Sequence, residues 1–133
     1  MAEDAAADEH IYRPLAEFEG AKPPAPVWFD RALDEPMEEG AVEVDGASIA
    51  YLAWGKRGRP GLLLIHGGRA HAHWWRPFAH FFADKYRVAA LNLSGMGDSG
   101  WREAYSMPCY VREVFAVAEA AGLSDDGPPL VVG

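Results

Sequence analysis

Three short apolar runs constrain this chain more than any other feature. Leu62-Leu63-Leu64-Ile65 contains no polar residue, Arg87 to Leu93 reads RVAALNL, and Pro129-Leu130-Val131-Val132-Gly133 opens in the same way. A strand that is apolar on both faces of its pleat has to be covered on both faces, as in a parallel sheet packed between helices. The intervening segments supply those helices. Trp74, Trp75, Phe78, Phe81 and Phe82 recur at helical spacing, with Pro77 tolerable only near the helix start. Such an aromatic stripe is expected to face a core. Tyr110, Val111, Val114, Val117, Ala118 and Ala121 define a second amphipathic helix, with Ser106 as N-cap, Pro108 in the first turn and Gly122 closing the C-terminal end.

Ahead of these elements, Ala41-Val42-Glu43-Val44 alternates at period two, Asp45-Gly46 is a strong hairpin-turn signal, and Ala47 to Trp54 reads as the returning strand. The turn cluster Gly55 to Gly61 separates this hairpin from the first apolar run. The expected class is α/β: a mostly parallel sheet with helices on both faces and an N-terminal antiparallel hairpin. Residues 40–133 form that body. Residues 1–39 form an acidic, proline-rich, partly disordered leader, in which Val27-Trp28-Phe29 with Ala32-Leu33 is expected to dock as a short helix ended by Pro36.

Charge divides along the same boundary. Residues 1–45 carry 13 acidic and 3 basic side chains, and residues 46–133 carry 7 acidic and 9 basic. The net charge of −8 therefore resides in the leader, and no basic cluster offers a nucleic-acid surface. No apolar run approaches the ~20 residues of a membrane span. One cysteine, Cys109, excludes an intrachain disulfide and fits a reducing, cytoplasmic compartment.

In such sheets chemistry gathers at the C-terminal ends of the strands. Gly95-Met96-Gly97-Asp98-Ser99-Gly100 has the glycine spacing of a dinucleotide loop, but Trp101 to Pro108 separates it from the next helix, so no helix N-terminus faces a pyrophosphate. Ser99, in a Gly-Asp-Ser-Gly context, reads as a loop hydroxyl bonded to nearby backbone rather than a nucleophile. His66, His71 and His73 lie close in sequence, yet no carboxylate stands between Ile65 and Phe82 to complete a metal site; capping, loop hydrogen bonding or lining a substrate pocket are the other readings. In His66-Gly67-Gly68, two glycines let the backbone turn off a strand and aim N–H groups into a cleft, where they can stabilise an oxyanion by ~3–4 kcal/mol per donor; a plain glycine-rich turn is the alternative.

Taken together, the hairpin at Asp45-Gly46, the turn at Gly55–Pro60, Leu64-Ile65-His66-Gly67-Gly68, the aromatic helix and Leu91-Asn92-Leu93-Ser94-Gly95-Met96-Gly97-Asp98-Ser99 resemble the N-terminal half of the α/β-hydrolase fold superfamily, from about Gly40 to Gly133. The resemblance implies that Gly68 donates a backbone N–H to an oxyanion hole and that His66 buttresses the loop without acting as the base. Gly67, Gly95, Gly97, Asp98 and Ser99 would be structural loop residues, and Arg69, His71 and His73 would line the substrate pocket, with Arg69 able to pair with an acidic substrate group. Asn92 and Met96 depart from the commoner Asp and His of the superfamily. The strand from Pro129 would lead into the nucleophile elbow, with Gly133 as its first glycine. The nucleophile, acid and catalytic histidine would follow, so this chain alone is expected to be catalytically incomplete. The intact protein would cleave an ester, amide, thioester, epoxide or related bond of a small molecule by covalent catalysis, without metal or cofactor. The alternative is a non-catalytic module that pairs with a separate C-terminal half, or self-associates, through the exposed last strand.

Overall fold

A computed structural model describes residues 13–133. The acidic residues at the extreme N-terminus and His10 lie outside the described residues. From Arg13 to Pro26 the chain is exposed, with a single 3-10 turn at Ala16–Phe18. Helix α1 (Val27–Asp34) follows, then strands β1 (Glu38–Val44), β2 (Ala47–Trp54) and β3 (Gly61–Ile65). A 3-10 turn (Ala72–Trp75) runs into α2 (Arg76–Ala79), and β4 (Arg87–Leu91), α3 (Met107–Ala120) and β5 (Leu130–Val132) complete the order.

The five strands form one mixed sheet in the order β1-β2-β4-β3-β5. β3 is parallel to both β4 and β5, whereas β2 runs antiparallel to β1 and to β4. The helices cover both faces. Leu63, Ala89, Leu91, Ile49 and Ala53 point to one side and pack on Val117 and Ala118 of α3 and on Ala121, its C-cap. Their strand neighbours Leu62, Leu64, Val88, Ala90, Leu52 and Trp54 point to the other side, over Ala72 and Ala79. This period-two division is why Leu62–Ile65 in β3 and Val88–Leu91 in β4 are apolar on both sides of the pleat. β3 also begins under close constraint: a Cβ at Gly61 would sit 2.0 Å from the carbonyl oxygen of Leu123, where the chain leaves α3.

Two helices differ from expectation. The aromatic stripe does not form one helix. After the single α turn of α2, Phe81, Phe82 and Ala83 donate to the carbonyls of Phe78, Ala79 and His80, three residues back. Tightening to about three residues per turn spreads side chains that a 3.6-residue repeat would align. Trp74, Phe78, Phe81 and Phe82 therefore end up exposed, and the core contacts fall to Ala72 and Ala79, with Trp75 packed at their edge. α3 starts and stops as the sequence indicates, with the Ser106 hydroxyl accepting from the Cys109 N–H and Gly122 left-handed at φ +72°. Its buried stripe is rotated, however: Cys109, Glu113 and Val117 are buried and Val111 is exposed.

α1 docks through Ala32, which is buried, and through the Arg76 guanidinium, which donates to the Leu33 carbonyl. Trp28 reaches the Phe81 ring, 6.0 Å between centroids, although Val27 and Trp28 stay largely exposed. No helix among the described residues is long and apolar enough to cross a membrane.

One buried charge ties the sheet together at the end opposite the cleft. Arg87, at the start of β4, donates to the carbonyls of Ala121 and Gly55 and bidentately to Glu38 of β1, each at 2.8 Å. The hydrogen bond from Arg87 holds the Glu38 carboxyl below the ordinary value of 4.5. Arg87→Ala is expected to cost about 3 kcal/mol in urea unfolding, because the buried Ala121 carbonyl and the half-buried Gly55 carbonyl lose their donor. Glu38→Gln should cost under ~1 kcal/mol, since that carboxylate faces solvent. The Glu38 contribution is fully present above pH 4.5 and is lost as pH falls through its lowered folded value, so Glu38→Gln should narrow the difference in stability between pH 7 and pH 3.

Candidate active site

The parallel register Leu62↔Leu130, Leu63↔Val131 and Leu64↔Val132 brings the C-terminal ends of β3 and β5 level. Gly133 lies against Ile65: a Cβ there would come within 3.2 Å of the Ile65 Cβ. The chain leaving β3 turns onto the α2 face, and the chain reaching β5 arrives by way of α3 on the opposite face. Such a reversal of winding opens a crevice beyond the strand ends. His66-Gly67-Gly68 stands at its edge.

His66 is buried and both ring nitrogens are committed. Nε2 accepts from the Leu93 N–H at 3.1 Å, and Nδ1 lies 2.7 Å from the Gly67 carbonyl, to which it can donate. A side chain so bonded buttresses the β3 and β4 loops and has no lone pair free for base catalysis.

The turn itself departs from expectation. Neither Gly67 nor Gly68 adopts positive φ; the left-handed residue is Arg69, at φ +62°. Ala70 N–H closes the turn on the Gly67 carbonyl at 3.2 Å. These φ signs are those of a type II turn with Arg69 in the place usually given to glycine. A Cβ at Gly67 or Gly68 would meet nothing within 4 Å. Packing within the described residues therefore does not require these glycines, and the space beside them is open. Among the described residues the N–H groups of Gly67 and Gly68 have no hydrogen-bond acceptor.

That space is a cavity of about 260 Å³ lined by His66, Gly67, Gly68, Ala70, Trp74, Trp75 and Phe78. Arg69, His71 and His73 are not in its wall; Arg69 and His71 are exposed and His73 is half-buried. The His71 and His73 rings pack edge to face at 5.7 Å. Among the described residues no three His, Cys, Asp or Glu side chains converge as a metal site.

The glycine-rich loop at 95–100 is closed on itself. Gly95 N–H donates to Gly100 O, Met96 N–H to Leu93 O, Ser99 N–H to Met96 O and Gly100 N–H to Ser48 O. Four of the loop's six N–H groups are spent in these bonds, and α3 begins only at Met107, so no helix N-terminus faces the loop as a dinucleotide site requires. Ser99 is buried, accepting from Ala50 N–H at 2.8 Å and donating to Asn92 O at 2.6 Å, so its hydroxyl rivets β2 to the end of β4. Asn92 Oδ1 accepts from Ala72 N–H at 2.7 Å, joining this loop to the one after β3. Gly97, at φ +53°, lets the backbone pass over that amide; a Cβ would sit 2.3 Å from Asn92 Oδ1. Asp98 is exposed.

Sequence reasoning missed the buried anchor beneath the loop. Glu113 is fully buried; its Oε2 accepts from Ser94 N–H at 2.9 Å and its Oε1 from Arg102 Nε at 3.0 Å. Arg102 continues to the carbonyls of Val44 and Asp45 in the hairpin. The available signal was a glutamate in step with Cys109 and Val117, four residues to either side. Burial, reinforced by Glu113, pushes the Cys109 thiol above its ordinary value, so it stays protonated.

The fold has close counterparts among known structures. The thioesterase domain from the curacin biosynthetic pathway matches with a TM-score of 0.66 and 32% identity, over 74% of this chain and 35% of that one. A membrane phospholipase A described as a bacterial virulence factor matches with a TM-score of 0.61 and 35% identity, over 82% of this chain and 33% of that one. The fold is that of the α/β-hydrolases. In sequence, mouse (Mus musculus) epoxide hydrolase 4 is 33% identical over 86 residues, covering 62% of this chain and 24% of that protein. The chain thus spans about a quarter of the length of the curated relatives it matches. No family model matches it.

Within this α/β-hydrolase sheet the left-handed Arg69 carries a cost that a glycine would not, ~1–2 kcal/mol before the added flexibility of the unfolded chain is counted. Arg69→Gly is therefore expected to raise stability by up to about 1 kcal/mol in denaturant unfolding. A loss of stability would show that the arginine side chain, and not the backbone, governs this turn.

Proposed function

We propose that this chain is the N-terminal part of a hydrolase that cleaves an ester, amide, thioester, epoxide or related bond of a small molecule through a covalent intermediate, and that the Gly68 N–H is one donor of its oxyanion hole. The observation that carries this reading is the uncommitted N–H of Gly68, a residue lining an apolar cavity, in a turn that follows Ile65, the residue lying against Gly133. The epoxide hydrolase and thioesterase relatives support the reaction class. On this reading the residues after Gly133 carry the nucleophile, beside Ile65 and within reach of the Gly68 turn. On this reading the chain alone is catalytically incomplete; the Ser99 hydroxyl and the His66 ring are each bonded to backbone and serve as neither nucleophile nor base. The chemistry needs no metal or cofactor, and a reducing, cytoplasmic setting suits the buried, protonated Cys109.

A second reading is favoured by β5. Leu130, Val131 and Val132 are 57%, 54% and 46% exposed on an edge strand, an apolar surface suited to pairing with a separate C-terminal half or with a second copy.

Two measurements separate the readings. Purified 1–133 is expected to turn over 4-nitrophenyl butyrate and styrene oxide at no more than the buffer rate. Turnover abolished by Gly68→Pro, which suits the second position of this turn and removes only the N–H, would overturn catalytic incompleteness. The coding DNA is expected to continue in frame past Gly133 into a glycine–x–nucleophile–x–glycine pattern. A stop codon there, with self-association of the chain in ultracentrifugation, would favour the second reading.

A further inference from the structure

We propose that the cavity beside Gly68 selects a neutral aromatic ring, and that Trp74 and Phe78 are its specificity-determining residues. Its wall is aromatic on one side and glycine backbone on the other. At about 260 Å³ it exceeds the ~150 Å³ apolar cavity known to take up benzene, so a phenyl ring with a short substituent fits. The lining offers no charge. His66 is its one titratable member, and both of its nitrogens are held by backbone partners. Arg69 and Arg76, the charged residues next to lining residues in sequence, are not part of the wall, and the Arg76 guanidinium is bonded to the Leu33 carbonyl. An anionic ligand would lose hydration there and gain no counter-charge, whereas a neutral ring gains area burial and edge or offset contact with the indole and phenyl walls. Trp74 and Phe78 are 66% and 46% exposed, so a bound ring would cover apolar surface that the described residues leave open.

That this ring belongs to the substrate rests on the hydrolase reading; the preference of the cavity does not. The test therefore uses binding alone, on chain 1–133, by saturation-transfer NMR with benzyl alcohol, cyclohexylmethanol and benzoate. Benzyl alcohol should bind more tightly than cyclohexylmethanol and at least about tenfold more tightly than benzoate. Trp74→Ala and Phe78→Ala should each weaken it by about fivefold. Both side chains are substantially exposed, so their loss leaves the core intact. Phe81→Ala removes an exposed ring that packs on Trp28 and not on the cavity, and should change nothing. Absence of benzyl alcohol binding, equal binding of benzoate or cyclohexylmethanol, or an equal loss in Phe81→Ala would overturn the proposal. If ring binding holds while no nucleophile pattern follows Gly133, the hydrolase reading alone fails.

Discussion

The structure depends on one constraint: β3 and β4 are buried on both faces. A strand with leucine, valine and alanine on each side of its pleat cannot face water, so helices must arrive on both sides. The connection after β3 passes over one face and the connection after β4 over the other. The two loops that leave the C-terminal ends of these adjacent strands therefore diverge, and a crevice beside the end of β3 follows from that divergence. The site is thus a consequence of how the core is covered.

Polar anchors fix the ends of this apolar layer. Arg87 closes one end by satisfying carbonyls from two loops and meeting Glu38 across the sheet. At the other end Asn92, Ser99, His66 and Glu113 each bond backbone groups of a different segment. Asn92 in place of an aspartate keeps the acceptor for Ala72 N–H without a buried charge that would need a partner. Once these groups are paired, little freedom remains in the loops.

The strands, the hairpin, the limits of α3 and the loop role of Ser99 were legible in the sequence because each rests on a local rule: period-two burial, a turn dipeptide, a cap, a short hydroxyl side chain. The aromatic segment was misread because spacing alone cannot tell 3.6 residues per turn from three. The hydrogen bonds that tighten it run from Phe81 and Phe82 to carbonyls three residues back, and no residue type announces that choice. Arg69 was not seen as the left-handed residue because glycines stood beside it, and they appeared sufficient for the turn. Trp74 and Phe78 line the cavity, and Arg69, His71 and His73 stand outside its wall. Glu113 was hidden because a single charge on a helix is usually solvated, and its partners Arg102 and Ser94 come from outside the helix.

The strand order has a consequence for synthesis. β4 pairs one edge of β3, and β5 pairs the other through contacts such as Leu62↔Leu130. On a growing chain the first edge can close as soon as β4 emerges. The second must wait for the roughly 40 residues between β4 and β5, several seconds at typical elongation rates. Throughout that interval a central strand of the final sheet behaves as an edge, with Leu62, Leu63 and Leu64 beside unpaired backbone. The nascent chain is therefore most prone to aggregate in the window just before β5 appears, and a chaperone that binds extended apolar segments has its best target there.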